Sequence, residues 1–223
     1  MVTGGLLLSF IIYTLLIKFV DVQAIGPEGS KVGFATLNQW EHNLLGVHML
    51  WYNITKYSGA IAILVALGFA GLGGWQLFKR KDLFKVDKDL ILLGMFYVLV
   101  GFAYVFFELC IINYRPVMIG GELEASYPSS HSMLAICIMG TAILQIDRRI
   151  KDETVKKGLT IACLVIMGLT VIGRFISGVH WMTDILGGIL LGCTLTMLYY
   201  SMMRYIFPKR KFFQKRKETQ TLQ

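Results

Sequence analysis

The longest apolar run in this chain occupies residues 89–112 and reads DLILLGMFYVLVGFAYVFFELCII. Asp89 and Glu108 are its only charged residues. About 20 mostly apolar residues in a helix are enough to cross the roughly 30 Å hydrocarbon layer of a bilayer. Because lipid offers no hydrogen-bond partners, the backbone N–H and C=O groups of a spanning segment must form hydrogen bonds with each other. The run therefore predicts a transmembrane α-helix.

Five further runs of the same character flank this one, at roughly 3–20, 58–78, 131–147, 158–177 and 181–203. Only 16% of the 223 residues are charged, whereas soluble domains carry about 25%. The pattern predicts a single all-α domain over residues 1–223, an integral membrane bundle of six helices. The first run could also be a cleaved secretory signal, since Val22 and Ala24 resemble a cleavage site. We favour a retained helix, because no Lys or Arg precedes the run.

The basic residues predict the orientation of this bundle. Segments 79–88, 148–157 and 204–217 together hold 17 of the 22 Lys and Arg residues. With six spans, all three segments lie on one side of the membrane, and the positive-inside rule makes that side cytoplasmic. Both termini are then cytoplasmic, and the basic tail 204–223 contacts anionic lipid head groups. This distribution favours a topology signal over nucleic-acid binding, and no protein partner is implied.

The cysteines indicate neither disulfides nor a metal site. Cys110, Cys137, Cys163 and Cys193 all lie within apolar runs, without the spacing of zinc ligands. We expect them to be packing residues. No cofactor and no metal site are predicted.

The first outer segment, about 21–57, contains a mixed stretch from Thr36 to Tyr57 that is rich in Trp, Tyr and Leu. Such a stretch is typical of an amphipathic helix lying at the membrane interface, with its aromatic rings at head-group depth. His42 and His48 within it are expected to be surface or interfacial histidines.

Most residues suited to chemistry lie in the other two outer segments. Residues 127–131, Tyr-Pro-Ser-Ser-His, resemble the start of a helix. A helix N-terminus presents free N–H groups and a positive dipole end, which suits a phosphate. An ordinary capped helix that carries a histidine by chance would have the same sequence pattern.

A second motif spans residues 174–184 and includes Arg174, Gly178, His180 and Asp184. Gly178 can end one helix, and the four-residue spacing puts His180 and Asp184 on one face of the next. The aspartate can then hold the imidazole N–H, as in a catalytic triad. A structural ion pair between helices is the alternative. Arg115, followed by proline, lies beyond the outer end of the 89–112 helix and could simply meet lipid phosphates.

Taken together, these residues predict phosphoryl transfer. Guanidinium and N–H groups match the oxygens of a phosphoryl group. A neutral imidazole can attack phosphorus, and a second imidazole can protonate the leaving oxygen and later activate water. With arginines carrying the positive charge, no metal is required.

This constellation resembles the type 2 phosphatidic acid phosphatase superfamily. The superfamily pattern is Lys-x6-Arg-Pro, then Pro-Ser-Gly-His, then Ser-Arg-x5-His-x3-Asp. Residues 115–116 match the end of the first block, and residues 128–131 match the second. Arg174, His180 and Asp184 match the third at its full spacing.

The resemblance implies a nucleophile at His180, an orienting partner at Asp184 and a general acid at His131. Ser129 and Ser130 would help two arginines, Arg115 and Arg174, to hold the phosphate. The implied activity is hydrolysis of a lipid phosphate or diphosphate monoester, such as undecaprenyl diphosphate, phosphatidic acid or phosphatidylglycerol phosphate, at the outer face of the cell membrane. A lipid-linked phosphotransferase and a non-catalytic lipid-phosphate binder or carrier remain alternatives.

Three positions depart from the superfamily pattern. Ser130 replaces a glycine, Gly173 replaces a serine, and Glu108 stands where the pattern has lysine. Glu108 would lie about 10 Å deeper than Arg115, at 1.5 Å per helical residue. We expect it to support the guanidinium of Arg115 or Arg174 from below.

Overall fold

A computed structural model describes residues 2–207, which form seven α-helices and two short 3₁₀ turns, at Pro27–Gly29 and Leu83–Lys85. The helices are α1 (Val2–Phe19), α2 (Ala35–Leu45), α3 (Met49–Arg80), α4 (Lys88–Leu109), α5 (Ser130–Arg149), α6 (Glu153–Ser177) and α7 (Met182–Ile206).

Six of these helices, all except α2, are long and apolar enough to cross a membrane. They coincide with the six predicted spans, so the all-α, six-span architecture is confirmed. The chain is a multi-pass membrane protein. That the whole chain forms one domain stays a prediction.

The second span begins earlier than the sequence analysis predicted, at Met49 instead of residue 58. The break in the chain lies at Gly46, whose backbone has a positive φ of 66°. After Gly46, the first turns of α3 contain polar residues that pack against α6. Thr55 and Ser58 are buried, and the Ser58 hydroxyl lies 2.7 Å from that of Thr170 on α6. The interfacial helix is therefore only the 11 residues of α2.

Helices α5 and α7 form the centre of the bundle, packed against each other and surrounded by α1, α3, α4 and α6. Glycines let the two central helices approach closely. A Cβ at Gly188 would lie 2.6 Å from the Ser129 carbonyl oxygen, and one at Gly192 would lie 2.9 Å from the Ile136 side chain. These glycines serve contacts inside the bundle.

One end of the bundle carries most of the basic residues. There Asp87, at the turn between α3 and α4, pairs with Arg80 at 3.0 Å and with Arg149 at 3.1 Å. Arg149 also lies 2.6 Å from Asp89, so this network joins α3, α4 and α5. The amide of Gln76 and both guanidinium groups lower the pKa of Asp87 to about 2. Residues 208–223, most of the predicted basic tail, lie outside the described residues.

At the opposite end, α2 lies across the start of α7. The Asn38 amide donates to the Gly33 carbonyl oxygen at 2.8 Å and to the Thr183 hydroxyl at 2.9 Å. Trp40 and Leu44 remain exposed, so α2 buries polar groups and presents apolar ones outward, as an interfacial helix does. His42 is half-buried against the ring of Trp181, whereas His48 is exposed as predicted.

Candidate functional site

The sequence motifs meet at the end of the bundle opposite the basic network. Arg115 lies in the loop after α4, His131 in the first turn of α5, Arg174 near the end of α6 and His180 between α6 and α7. Burial, with the nearby charges of Arg115, Arg174 and His131, holds the pKa of His180 well below its ordinary value. Arg115, Arg174 and His131 therefore lie near enough to His180 for their charges to act on it.

A short hairpin brings residues 113 and 126 side by side. The Ser126 N–H donates to the Asn113 carbonyl oxygen at 2.9 Å, and the Arg115 N–H donates to the Glu124 carbonyl oxygen at 3.1 Å. Gly120 and Gly121, both with positive φ, lie between the two arms. This register places the side chains of Asn113 and Ser126 beside Asp184.

The turn at Gly178 places His180. Its φ is 65°, and an added Cβ would lie 1.9 Å from the Gly46 carbonyl oxygen, so this position requires glycine. The His48 N–H donates to the Ser177 carbonyl oxygen at 3.0 Å, which fixes the approach of the chain before α3. Because α7 begins only at Met182, His180 lies ahead of the helix, and the prediction that it shares a helical face with Asp184 is wrong.

Ser126 lies between His180 and Asp184. Its hydroxyl is 3.0 Å from His180 Nδ1 and donates to Asp184 Oδ2 at 2.5 Å. Within residues 2–207, no hydrogen bond joins His180 directly to Asp184. The direct contact expected from their spacing is thus replaced by a bridge through a serine.

The remaining acceptor positions of Asp184 are also occupied. Asn113 Nδ2 donates to Oδ1 at 3.0 Å, and the Trp181 backbone N–H donates to Oδ2 at 3.0 Å. The carboxylate is fully buried, and three donors satisfy it. Asp184 is therefore held in a fixed orientation.

One ring nitrogen of His180 has no protein partner within residues 2–207. Its side chain is buried, and Nε2 has no hydrogen-bond partner among the described residues. Because the pKa of His180 is lowered, the ring is neutral near pH 7, and a neutral ring nitrogen without a proton is a nucleophile.

Arg174 is the largest fully buried side chain in the described part of the chain. Its guanidinium lies 5.1 Å from the centre of the Tyr52 ring. None of its three nitrogens meets a protein hydrogen-bond acceptor within residues 2–207. A buried cation without a counter-charge is costly, which favours a site that an anion occupies.

Arg115 has a partner, but not the expected one. Its Nε lies 3.1 Å from Glu124 Oε2, and its side chain is only 12% exposed. Glu108 is exposed on α4 and forms no ion pair with either arginine in the described structure. The supporting role predicted for Glu108 is therefore wrong for this structure, and Glu124 fills it for Arg115.

α5 begins where the sequence motif predicts, with Ser129 at the N-cap position, but the Ser129 side chain makes no capping hydrogen bond. Ser129 is fully buried, and its own N–H donates to the Asp184 carbonyl oxygen at 2.8 Å. Its hydroxyl lies 3.1 Å from that of Ser132. The N–H groups of Ser130 and His131 belong to the first turn, where a helix supplies no acceptor. His131 Nδ1 is buried without a protein partner in the described region.

Sequence reasoning missed Ser126, Asn113, Glu124 and Tyr52. None carries a motif, and each reaches the site through hairpin register or helix packing. The polarity of the 113–126 loop was the only available signal. In the described chain, no group of three or more His, Cys, Asp or Glu residues is placed to hold a metal ion.

The fold and this arrangement define a multi-pass membrane protein with a buried cluster of arginine and histidine side chains at one end. The family model of the PAP2 superfamily matches residues 105–208, which include every motif residue named above. The match confirms the resemblance seen in the sequence and supports phosphatase activity.

One solved structure has a similar fold, that of the first transmembrane PAP2 type phosphatidylglycerolphosphate phosphatase from Bacillus subtilis. It superposes with a TM-score of 0.66 at 22% sequence identity, over 93% of this chain and 98% of that one. At this identity the likeness concerns the fold. No curated protein matches this chain significantly.

Proposed function

We propose that this protein hydrolyses a lipid phosphate or diphosphate monoester through a phosphohistidine formed on His180. The observation that carries the proposal is the pairing of two buried groups that lack a protein hydrogen-bond partner within residues 2–207. They are the guanidinium of Arg174 and Nε2 of His180, whose ring is neutral. A phosphoryl group supplies both the negative charge that the arginine lacks and the electrophile that the imidazole attacks.

Phosphate binding would use groups that the fold holds rigidly. Arg174 offers its whole guanidinium, and Arg115 offers the nitrogens that Glu124 does not engage. The first-turn N–H groups of Ser130 and His131 add donors at the positive end of the α5 dipole. The Ser129 hydroxyl faces Ser132, and the Ser129 N–H donates to the Asp184 carbonyl oxygen. Ser129 would therefore stabilise this turn more than it contacts phosphate.

In the first chemical step, the lone pair of His180 Nε2 attacks phosphorus. The phosphorus–oxygen bond to the lipid breaks, and His131, which enters the step protonated beside the bound phosphate, donates its proton to the departing oxygen and becomes neutral. The products are a phosphohistidine and a lipid alcohol, or a lipid monophosphate if the substrate is a diphosphate.

In the second step, His131 accepts a proton from water as that water attacks the phosphohistidine. The phosphorus–nitrogen bond breaks, inorganic phosphate leaves, and His180 regains its neutral form. The arginines stabilise charge on the phosphoryl oxygens throughout. Undecaprenyl diphosphate, phosphatidic acid and phosphatidylglycerol phosphate all fit this scheme, and the last is the substrate named for the Bacillus subtilis structure.

Purified protein is expected to release inorganic phosphate from at least one member of a lipid-phosphate panel in excess EDTA. The physical reason is that the arginines and N–H groups already supply the positive charge that a metal would otherwise provide. The measurement is phosphate release in mixed micelles, with the three lipids above and a water-soluble phosphate ester as comparison.

Loss of activity in EDTA that Mg²⁺ restores would contradict the metal-independent mechanism. Repeating the assay with a metal-free, uncharged detergent matrix excludes metal bound by the lipid. Binding of every lipid without phosphate release would instead indicate the non-catalytic binder.

We also propose that the site faces the extracytoplasmic side, with both termini cytoplasmic, because the basic residues mark the opposite end. A cysteine at exposed Glu122, in the loop between α4 and α5, should react with a membrane-impermeant thiol reagent in intact cells. The native Cys110 is also exposed at this end, so the experiment needs a Cys110→Ser background.

The matched control is a cysteine at exposed Lys151, between α5 and α6, which should react only after lysis. Labelling with the two positions reversed would invert the orientation and assign the substrate to the cytoplasmic leaflet.

A further inference from the structure

We propose that Ser126 is a positioning residue that transmits the influence of Asp184 to His180 and selects which ring nitrogen carries the proton. The inference rests on the proposed nucleophilic role of His180. The geometry behind it is a chain of two contacts, from His180 Nδ1 to the Ser126 hydroxyl at 3.0 Å and from that hydroxyl to Asp184 Oδ2 at 2.5 Å.

The number of hydrogens fixes the direction of this chain. A serine hydroxyl has one hydrogen to donate, and an ionised carboxylate can only accept. Asn113 Nδ2 and the Trp181 N–H also donate to Asp184, and each of these hydrogen bonds favours the carboxylate form. The single Ser126 hydrogen therefore points to Asp184.

Toward His180, Ser126 is then left with only an acceptor lone pair. The contact requires the hydrogen on Nδ1, so that Nδ1–H donates to the Ser126 oxygen. A neutral imidazole carries one N–H, and Nε2 is consequently unprotonated. That nitrogen has no protein partner in the described residues and so keeps its lone pair available, as attack on phosphorus requires.

Ser126 has little freedom to leave this position. It is 2% exposed, and its N–H donates to the Asn113 carbonyl oxygen, while the Asn113 side chain donates to Asp184. The same hairpin thus carries the bridging hydroxyl and one of the donors that orient the carboxylate. Within residues 2–207, the hydrogen-bonded path from Asp184 to the imidazole runs through this serine.

Ser126→Ala removes the bridge but leaves His180, Asp184 and the arginines in place. The ring then populates both tautomers and gains rotational freedom. The kcat should therefore fall by roughly 10- to 100-fold. This loss is smaller than the about 10⁴-fold loss observed when a catalytic histidine is held in the wrong tautomer. The KM should change little, because the phosphate ligands remain. Thr141→Val is the matched control, since it removes a buried hydroxyl that contacts Tyr97, remote from the site.

The coupling between the effects of substitutions at Ser126 and Asp184 distinguishes a relay from simple loss of packing. Asp184→Asn should lower kcat by about 10²- to 10⁴-fold, and the Ser126→Ala/Asp184→Asn double variant should be no worse than the poorer single variant. Multiplicative losses in the double variant would overturn the relay.

Nitrogen-15 NMR of the histidine rings tests the tautomer without any turnover. The chain has four histidines, so selective labelling gives few signals, and the signal that disappears in His180→Gln is that of His180. The unsubstituted protein should show the Nδ1–H form, and Ser126→Ala should show a mixture. An Nε2–H form in the unsubstituted protein would refute the inference even if phosphatase activity is present. A single Nδ1–H form with no phosphatase activity would uphold the relay and reject the proposed function.

Discussion

His180→Ala is expected to abolish turnover, with kcat reduced by roughly 10⁴-fold or more while the protein remains folded. The imidazole is the group that would form the covalent bond to phosphorus, and removal of such a nucleophile leaves only binding and electrostatic stabilisation. The measurement is steady-state phosphate release from the best lipid substrate, combined with size-exclusion chromatography and thermal unfolding to establish the fold.

A covalent intermediate gives a second readout for the same substitution. Alkaline quenching of the unsubstituted enzyme with a ³²P-labelled substrate should trap label that mild acid releases, as expected for a phosphohistidine. His180→Ala should trap none.

His48→Ala is the control, because this histidine is exposed and its side chain forms a hydrogen bond with the nearby Leu45 carbonyl oxygen at 2.7 Å. It should retain ordinary activity. Appreciable turnover in His180→Ala would remove the nucleophile assignment, whatever the behaviour of the other histidines.

Arg174→Met is expected to have two opposite effects. The kcat/KM should fall by roughly 10²- to 10³-fold, since truncating one member of a buried charge pair costs about 2–5 kcal/mol. The Tm of the ligand-free protein should rise, because methionine removes a buried charge that meets no protein acceptor in residues 2–207. Each kcal/mol gained corresponds to about 2–4 °C for a chain of this size.

Thermal unfolding in detergent with and without inorganic phosphate separates the two effects. Phosphate should raise the Tm of the unsubstituted protein, since a ligand stabilises the state that binds it, and should not raise that of Arg174→Met. Arg149→Met is the matched control. That arginine pairs with Asp87 and Asp89, so its loss should lower the Tm without changing the response to phosphate.

A lower Tm for ligand-free Arg174→Met would mean that the guanidinium stabilises the fold, in which case its burial would not indicate an anion site. An unchanged phosphate response would exclude Arg174 as a phosphate ligand.

The six spans show which parts of the fold can be predicted from the sequence. Hydropathy located all six transmembrane helices, and the errors lie mainly at their ends. The start of α3 was misplaced because residues 49–57 mix aromatic and polar side chains, and only packing against α6 shows that Thr55 and Ser58 point inward.

The site divides in a similar way. Spacing within residues 174–184 selected His180 and Asp184 together, but it could not show that the helix begins after the histidine or that a serine separates the two side chains. Glu108 was predicted to support an arginine because of its position relative to a motif. The hairpin instead brings Glu124 to Arg115, and Glu108 remains exposed.

The sequence by itself determined the membrane-spanning architecture, the resemblance to the PAP2 superfamily and the chemical types gathered in the site, because hydropathy and motif spacing are properties of neighbouring residues. Tertiary structure alone decided which polar groups meet. Ser126 reaches Asp184 through the register of the 113–126 hairpin, and Arg174 meets Tyr52 through the packing of α6 on α3. Hydrogen bonds and charge burial act over about 3–5 Å between segments distant in the chain, so they depend on helix rotation and loop register that no local pattern encodes.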